Sequence, residues 1–218
     1  MHNQEPSCSN SINCVVRQHM HLKKRDLLYH ARHAFRSIYA IRSGNIKTYQ
    51  VDTHGNEFIH GFYFSGEVIG FEAIYTQSYR FSAIALTDAV VCEIPYNNFL
   101  DYIQTEPALQ KHILYLMSQQ LNVGSYLFSI TAEQRLAAFL IDLCHRLSPS
   151  VMQTTFLLPM SRQDIGNYLR LTAETISRIL SQFKKNKLIA IDHKKIQILQ
   201  LSALKTIAAV GSVYSVFP

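Results

Sequence analysis

Residues 161–180 read SRQDIGNYLRLTAETISRIL, and the reading of these twenty residues decides the fold. Ser161, followed three positions later by Asp164, has the form of a helix N-cap with an acidic partner, which predicts a helix from Arg162 to about Leu169. A break follows at Arg170-Leu171, and Thr172 then caps a second helix from Ala173 to about Lys185. Ile165, Leu169, Ile176, Ile179, Leu180 and Phe183 supply the apolar faces that lock the two together. That spacing is the pattern of a helix-turn-helix.

The apolar pattern fits any αα corner, so function rests on the exposed positions. Glu174, Ser177 and Arg178 project from one side of the first turns of the second helix. Arg can donate two bonds to guanine, Glu can accept from cytosine N4, and Ser works with either, so the three form a base-reading set. The following stretch LIAIDHKKIQIL, residues 188–199, alternates around a polar turn at Asp192 to Lys195 and reads as a wing hairpin. Ser161, Arg162, Thr172, Thr175, Lys184, Lys185 and Lys187, with Lys194 and Lys195 on the wing, are the expected phosphate contacts. From Met160 to Ile196, eight Lys and Arg stand against three acids. This window carries a net charge of +5 out of +6 for the whole chain. Double-stranded DNA is the partner this charge fits.

At 218 residues, 48% apolar and 17% charged, the chain is globular rather than disordered. No apolar run approaches the roughly 20 residues that span a bilayer, and the polar start MHNQEPSCSNSINC is unlike a signal peptide, so a cytoplasmic protein with no membrane partner is expected. Cys8, Cys14, Cys92 and Cys144 are too few and scattered for a disulfide framework. Between about Val15 and Tyr96, short β-branched and aromatic segments alternate with turns at Ser43-Gly44, His54-Gly55 and Ser65-Gly66, the pattern of a sandwich or barrel. After Pro95 the period changes. Leu109, Ile113, the adjacent pair Leu116 and Met117, Leu121 and Leu127 recur at steps of three to six along one face of a long helix, suited to pairing with a second copy. Further on, a helix begins at Thr131 and TTFLLP reads as a strand.

These residues resemble a known family. LPMSRQDIGNYLRLTAETISRIL, SIYAIRSGNIK, GFYFSGEVIGFEAI, VCEIPY and AEQRLAAF are similar, in this order, to segments of the cyclic AMP receptor protein and FNR superfamily of bacterial transcription regulators, in its FNR branch. The resemblance implies an α+β chain: an N-terminal β-roll, the jelly roll of cyclic-nucleotide-binding type, over 15–104; a long dimerisation helix over 105–130; and a C-terminal winged helix-turn-helix over 131–218. It also implies a homodimer on a TTGAT-type inverted repeat, and contact with RNA polymerase through the loop from Ile74 to Tyr79.

The sequence departs from the superfamily's pattern in four respects. Cyclic-nucleotide binders of the superfamily use a Gly-Glu pair and an Arg-Ser pair, but here Gly70 precedes Phe71, and Phe81 separates Arg80 from Ser82; cyclic AMP is not expected. The FNR branch holds an iron-sulfur cluster on four cysteines. Cys92 matches the β-roll ligand and Cys8 with Cys14 keeps one N-terminal spacing, but Glu5 stands where a third is expected. No cofactor is therefore expected, with a cluster on Cys8, Cys14 and Cys92 as the alternative. Arg170 occupies a turn position where the superfamily usually has Gly, which implies strain on the order of 1 kcal/mol. The dimer helix is also about one turn shorter than in FNR-type relatives.

A reading from another class is a cupin-like metalloenzyme, with ligands drawn from His19, His21, Asp26, His30 and His33, or from His54, Glu57 and His60. It leaves Glu174, Ser177 and Arg178 unexplained. The expected protein is a DNA-binding regulator and not an enzyme.

Overall fold

The computed structural model describes residues 16–123, 131–148 and 154–208. These fall into two compact units: one is built from residues 16–46 together with 65–116, the other from 47–64 together with 117–123, 131–148 and 154–208.

In the first unit, β1 (Gln18–Leu22), β8 (Ala89–Pro95), β3 (Ser37–Ser43) and β6 (Val68–Ile69) form an antiparallel sheet in the order β1-β8-β3-β6. The register pairs Tyr39 with Glu93 and Ile41 with Val91, so these four share one face, and the two-residue period puts Ile38 and Ile94 on the other. β2 (Leu27–Tyr29) pairs with β7 (Ser82–Ala85). The predicted turn at Gly44 has a steric cause. Its φ is +84°, and a Cβ there would stand 2.4 Å from the Asp88 carbonyl oxygen. Glu93 is buried with its charge satisfied, accepting from Ser37 Oγ at 2.9 Å and Gln18 Nε2 at 2.7 Å. The short helix α1 (Ala73–Thr76) carries Tyr75, which is 95% exposed. Two further helices follow β8: α2 (Tyr96–Thr105) and α3 (Pro107–Val123), separated at Glu106.

The second unit begins with a hairpin, β4 (Ile46–Val51) and β5 (Glu57–Tyr63), of which residues 47–63 belong here. Its main body is α4 (Ala132–Leu147), β9 (Thr155–Leu157), α5 (Arg162–Leu169), α6 (Ala173–Lys185), the wing strands β10 (Ile189–Asp192) and β11 (Lys195–Ile198), and α7 (Leu201–Ile207). The wing forms a three-stranded sheet in the order β10-β11-β9. Thr131 starts α4 through a capping box: its Oγ1 accepts from Gln134 N while its own N donates to Gln134 Oε1. Leu136, Leu140 and Leu143 are fully buried on α4, and Leu204 anchors α7.

On the proposed dimer stripe, Ile113 is buried by its own chain, Leu109 and Met117 are half-buried, and Leu114 stands 68% exposed beside them. The side chains of Leu116 and Leu121 and the whole of Leu127 lie outside the described residues. Among the described residues no helix is long and apolar enough to cross a membrane.

Candidate nucleic-acid interface

The helix pair forms where its local signals put it, at Arg162–Leu169 and Ala173–Lys185. Ser161 Oγ accepts from Asp164 N at 3.0 Å, and Asp164 Oδ2 accepts from Ser161 N at 2.9 Å and Ser161 Oγ at 2.6 Å. Thr172 Oγ1 accepts from Thr175 N at 3.1 Å to start α6. Ile165, Leu169, Ile176, Ile179, Leu180 and Phe183 are all buried, as their spacing predicts. The corner is tight. A Cβ on Gly166 would stand 2.6 Å from the Leu171 carbonyl oxygen, so only glycine lets the turn cross α5 this closely.

Arg170 closes α5 in the left-handed region, at φ 58° and ψ 46°. Its N–H donates to the Gly166 carbonyl, and its guanidinium lies 5.3 Å from the centre of the Phe58 ring. Arg135 Nη1 donates to the Leu169 carbonyl at 2.7 Å, placing a positive charge at the negative end of the α5 dipole.

On α6, Glu174 and Arg178 are exposed, and Ser177 is half-buried. The Ser177 hydroxyl donates to the Ala173 carbonyl at 2.8 Å and accepts from Arg162 Nη1 at 3.0 Å. A side chain expected on phosphate and one expected on a base thus hold each other without DNA. Thr172 and Thr175 share a hydroxyl contact of 2.9 Å, with Thr172 exposed and Thr175 half-buried. Lys184, Lys185 and Lys187 are exposed at and beyond the end of α6, as are Lys194 and Lys195 on the wing.

The sequence reading missed Lys47. Its side chain is only 11% exposed, and its Nζ donates to Glu57 Oε1 at 2.6 Å and to Asp164 Oδ1 at 2.8 Å. Burial works against both charges. The two carboxylates nevertheless hold Lys47 above the ordinary lysine value, and bonds from Lys47 and Ser161 hold Asp164 below the ordinary carboxylate value. Nearby, the Phe62 ring packs on Phe139 and Tyr168 at centroid distances of 6.1 and 5.3 Å. Arg146 donates to the Phe62 carbonyl and stacks 4.6 Å from the centre of Phe64. An alternating strand gives no signal for such partners, because a lysine flanked by Ile46 and Thr48 reads as solvent-facing.

Residues 134–207 match the Crp-like helix-turn-helix domain, and residues 19–106 match the cyclic nucleotide-binding domain. The chain is 38% identical over 199 residues to electron transport regulator A of Shewanella oneidensis, covering 89% of this chain and 80% of that one. It is 38% identical over 202 residues to the fumarate and nitrate reduction regulatory protein of Vibrio cholerae, covering 90% and 81%. The chain belongs to the CRP/FNR family of transcription regulators. Among solved structures, FixK2 of Bradyrhizobium japonicum superposes with a TM-score of 0.79 at 26% identity, over 89% of this chain and 98% of that one. The α+β fold of a CRP/FNR regulator, with an N-terminal β-roll and a C-terminal helix-turn-helix, accounts for both units.

The cyclic nucleotide-binding match spans Gly70, Glu72 and Cys92. At the cyclic-nucleotide position, Glu72 is turned inward. Its Oε1 is buried without a hydrogen-bond partner, and burial pushes its carboxyl up. For a cluster, Cys92 is buried with its Sγ 3.2 Å from His19 Nδ1, and Cys8 and Cys14 lie outside the described residues.

The cupin-like reading is corrected by the same geometry. Asp26 accepts from Lys23 N, His30 lies ring to ring with His33 at 5.1 Å, and His60 faces Gln50 at 3.2 Å. His54 sits by Thr53, Glu57 is taken by Lys47, and on β1 His19 Nδ1 meets Cys92 Sγ at 3.2 Å. Among the described residues, no three His, Cys, Asp or Glu side chains gather as a metal requires. Ten histidines scattered over the chain produce ligand-like spacings without a site.

Proposed function

We propose that the protein regulates transcription in the cytoplasm as a homodimer, its two α6 helices entering successive major grooves about 34 Å apart on a TTGAT-type inverted repeat. The observation that carries this reading is the exposed pair Glu174 and Arg178, with Ser177 beside them, on the first turns of a helix capped by Thr172 and backed by a buried core. Glu174, Ser177 and Arg178 read bases. Ser161, Arg162, Thr172, Thr175, Lys184, Lys185 and Lys187 hold phosphates. On binding, Arg162 moves from Ser177 to the backbone and frees the hydroxyl for a base edge. The stripe of Leu109, Leu116, Met117 and Leu121 on α3, with Leu127 beyond its end, pairs with a second copy, and Ile113 backs it from within its own chain. The expected loop begins within α1, which holds Ile74 to Thr76, and the exposed Tyr75 on that helix suits the 74–79 segment to RNA polymerase. Neither cyclic AMP nor an iron-sulfur cluster is part of this reading: the ribose carboxylate is absent beside Gly70, and the thiolate set is incomplete.

The test is a titration of the inverted repeat and a random duplex, in air and without oxygen. Arg178→Ala is expected to relax discrimination at one base pair by about 1–3 kcal/mol. Lys185→Ala is expected to weaken both duplexes alike and to reduce the salt slope by about 1. If both variants lowered specific and random binding equally, the base-reading assignment would fall; air-sensitive binding with bound iron would overturn the loss of the cluster.

A further inference from the structure

Asp164 has two tasks. Oδ2 belongs to the cap of α5, where it accepts from the Ser161 backbone and hydroxyl, and Oδ1 accepts from Lys47. The Lys47 side chain is 11% exposed, that of Asp164 16%, and that of Glu57, the second partner, 32%. The first turn of α5 therefore carries a carboxylate at the end of the helix whose dipole and free N–H groups favour an anion. Unscreened, that carboxylate would repel a phosphate arriving at Ser161 and Arg162.

We infer that Lys47 is a positioning residue for DNA binding: it holds the capped turn of α5 through Asp164 and screens this carboxylate from the phosphate backbone. The inference rests on the DNA-reading function and assigns part of it to a strand outside the helix-turn-helix. Lys47 touches no nucleotide. It acts through Asp164, so its removal affects every DNA sequence alike, whereas loss of Arg178 affects one base pair. Sharing the ammonium with Glu57 pins it from the hairpin side and keeps it from swinging to solvent.

The experiment compares the full-length protein with Lys47→Met, Lys47→Arg, Asp164→Asn and the double variant Lys47→Met/Asp164→Asn. Each is titrated with the inverted repeat and a random duplex over a range of salt, with thermal melting alongside. Lys47→Met is expected to bind both duplexes about tenfold more weakly at roughly 0.1 M salt, with the deficit shrinking as salt rises. Lys47→Arg keeps the affinity. The double variant regains most of it, because the exposed charge is gone while the asparagine oxygen can still accept from Ser161 N and Ser161 still caps α5. A purely structural role predicts the reverse, with the double variant no better than Lys47→Met. Should Lys47→Met fail to fold, Asp164→Asn alone decides: tighter or unchanged binding supports screening, and weaker binding to both duplexes overturns it. Wild-type protein that bound neither duplex would sink the DNA reading itself, whereas wild-type binding with an unaffected Lys47→Met would sink only this role.

Discussion

Asp164 accepts hydrogen bonds from Ser161, three positions away, and from Lys47, 117 positions away. The first contact belongs to the helix pair α5–α6, whose caps and turn are made within about twenty residues. The second belongs to the β4–β5 hairpin, which meets the helices only because the chain folds back. Capping is set by residue type and spacing, so it operates before tertiary structure exists. Docking depends on which side chains the fold brings together, and no short window contains it. The hairpin's contacts are nevertheless of the costly kind: a buried ammonium, a ring cluster, and an arginine on a strand carbonyl.

The strongest way to break this contrast is Phe62→Ala. Phe62 is 3% exposed, with its ring against Phe139 and Tyr168. Its truncation is expected to cost about 3–5 kcal/mol, comparable to losing a large side chain from between α5 and α6. Hydrogen exchange is the discriminating measurement. If the hairpin is integral to the DNA-reading unit, amides of α4 and α5 lose protection together with those of β4 and β5. Loss confined to the hairpin would make it a neighbour of the reader and not part of it.

Legibility follows the same division. Ser161, Thr172 and the six apolar positions gave both helix boundaries, because each signal acts over one or two turns. The turn at Gly44 and the wing were readable for the same reason. The tight corner at Gly166 was not, since its requirement comes from the Leu171 carbonyl across the turn and not from the backbone angle of the glycine. Lys47 and Arg135 have partners far along the chain, so no local window reveals them, and the spacing of His54, Glu57 and His60 suggests a metal ligand where Glu57 meets an ammonium. The histidine spacings misled in the opposite direction. On alternating strands, any two ligand types an even number apart share a face, whether or not a third joins them.

A smaller effect sharpens the contrast through pH. Asp164 is held below the ordinary carboxylate value of 3.8, so its stabilising contribution is present above that value and is lost as pH falls through the depressed one. Lys47 is held above 10.5, so its contribution is present below that value and is lost as pH rises beyond it. Between the two, the group should contribute a plateau. Denaturation midpoints measured from about pH 3 to pH 6 should show Asp164→Asn with a shallower acid-side loss than the wild type, and the two curves differing by a constant above about pH 5. Identical acid slopes would mean that the hairpin contact contributes no linkage.

The smallest effect is expected at Arg170, where the two regions meet. Its left-handed backbone, shared with Arg25 and Arg32, costs a non-glycine residue on the order of 1 kcal/mol, so Arg170→Gly relieves local strain in the helix pair. The same change removes the guanidinium from the face of Phe58 on the hairpin, a contact worth about 0.5–1 kcal/mol at an exposed site, and gives the unfolded chain more freedom. These terms oppose each other and are of similar size. The expected net is a loss of about half a kcal/mol, a fall in melting temperature of about 1–2 °C. The sign is informative because each region predicts its own: a rise means that the local backbone of the helix pair governs this position. A fall means that the contact with Phe58 outweighs the strain, and that the hairpin helps hold the turn that reads DNA.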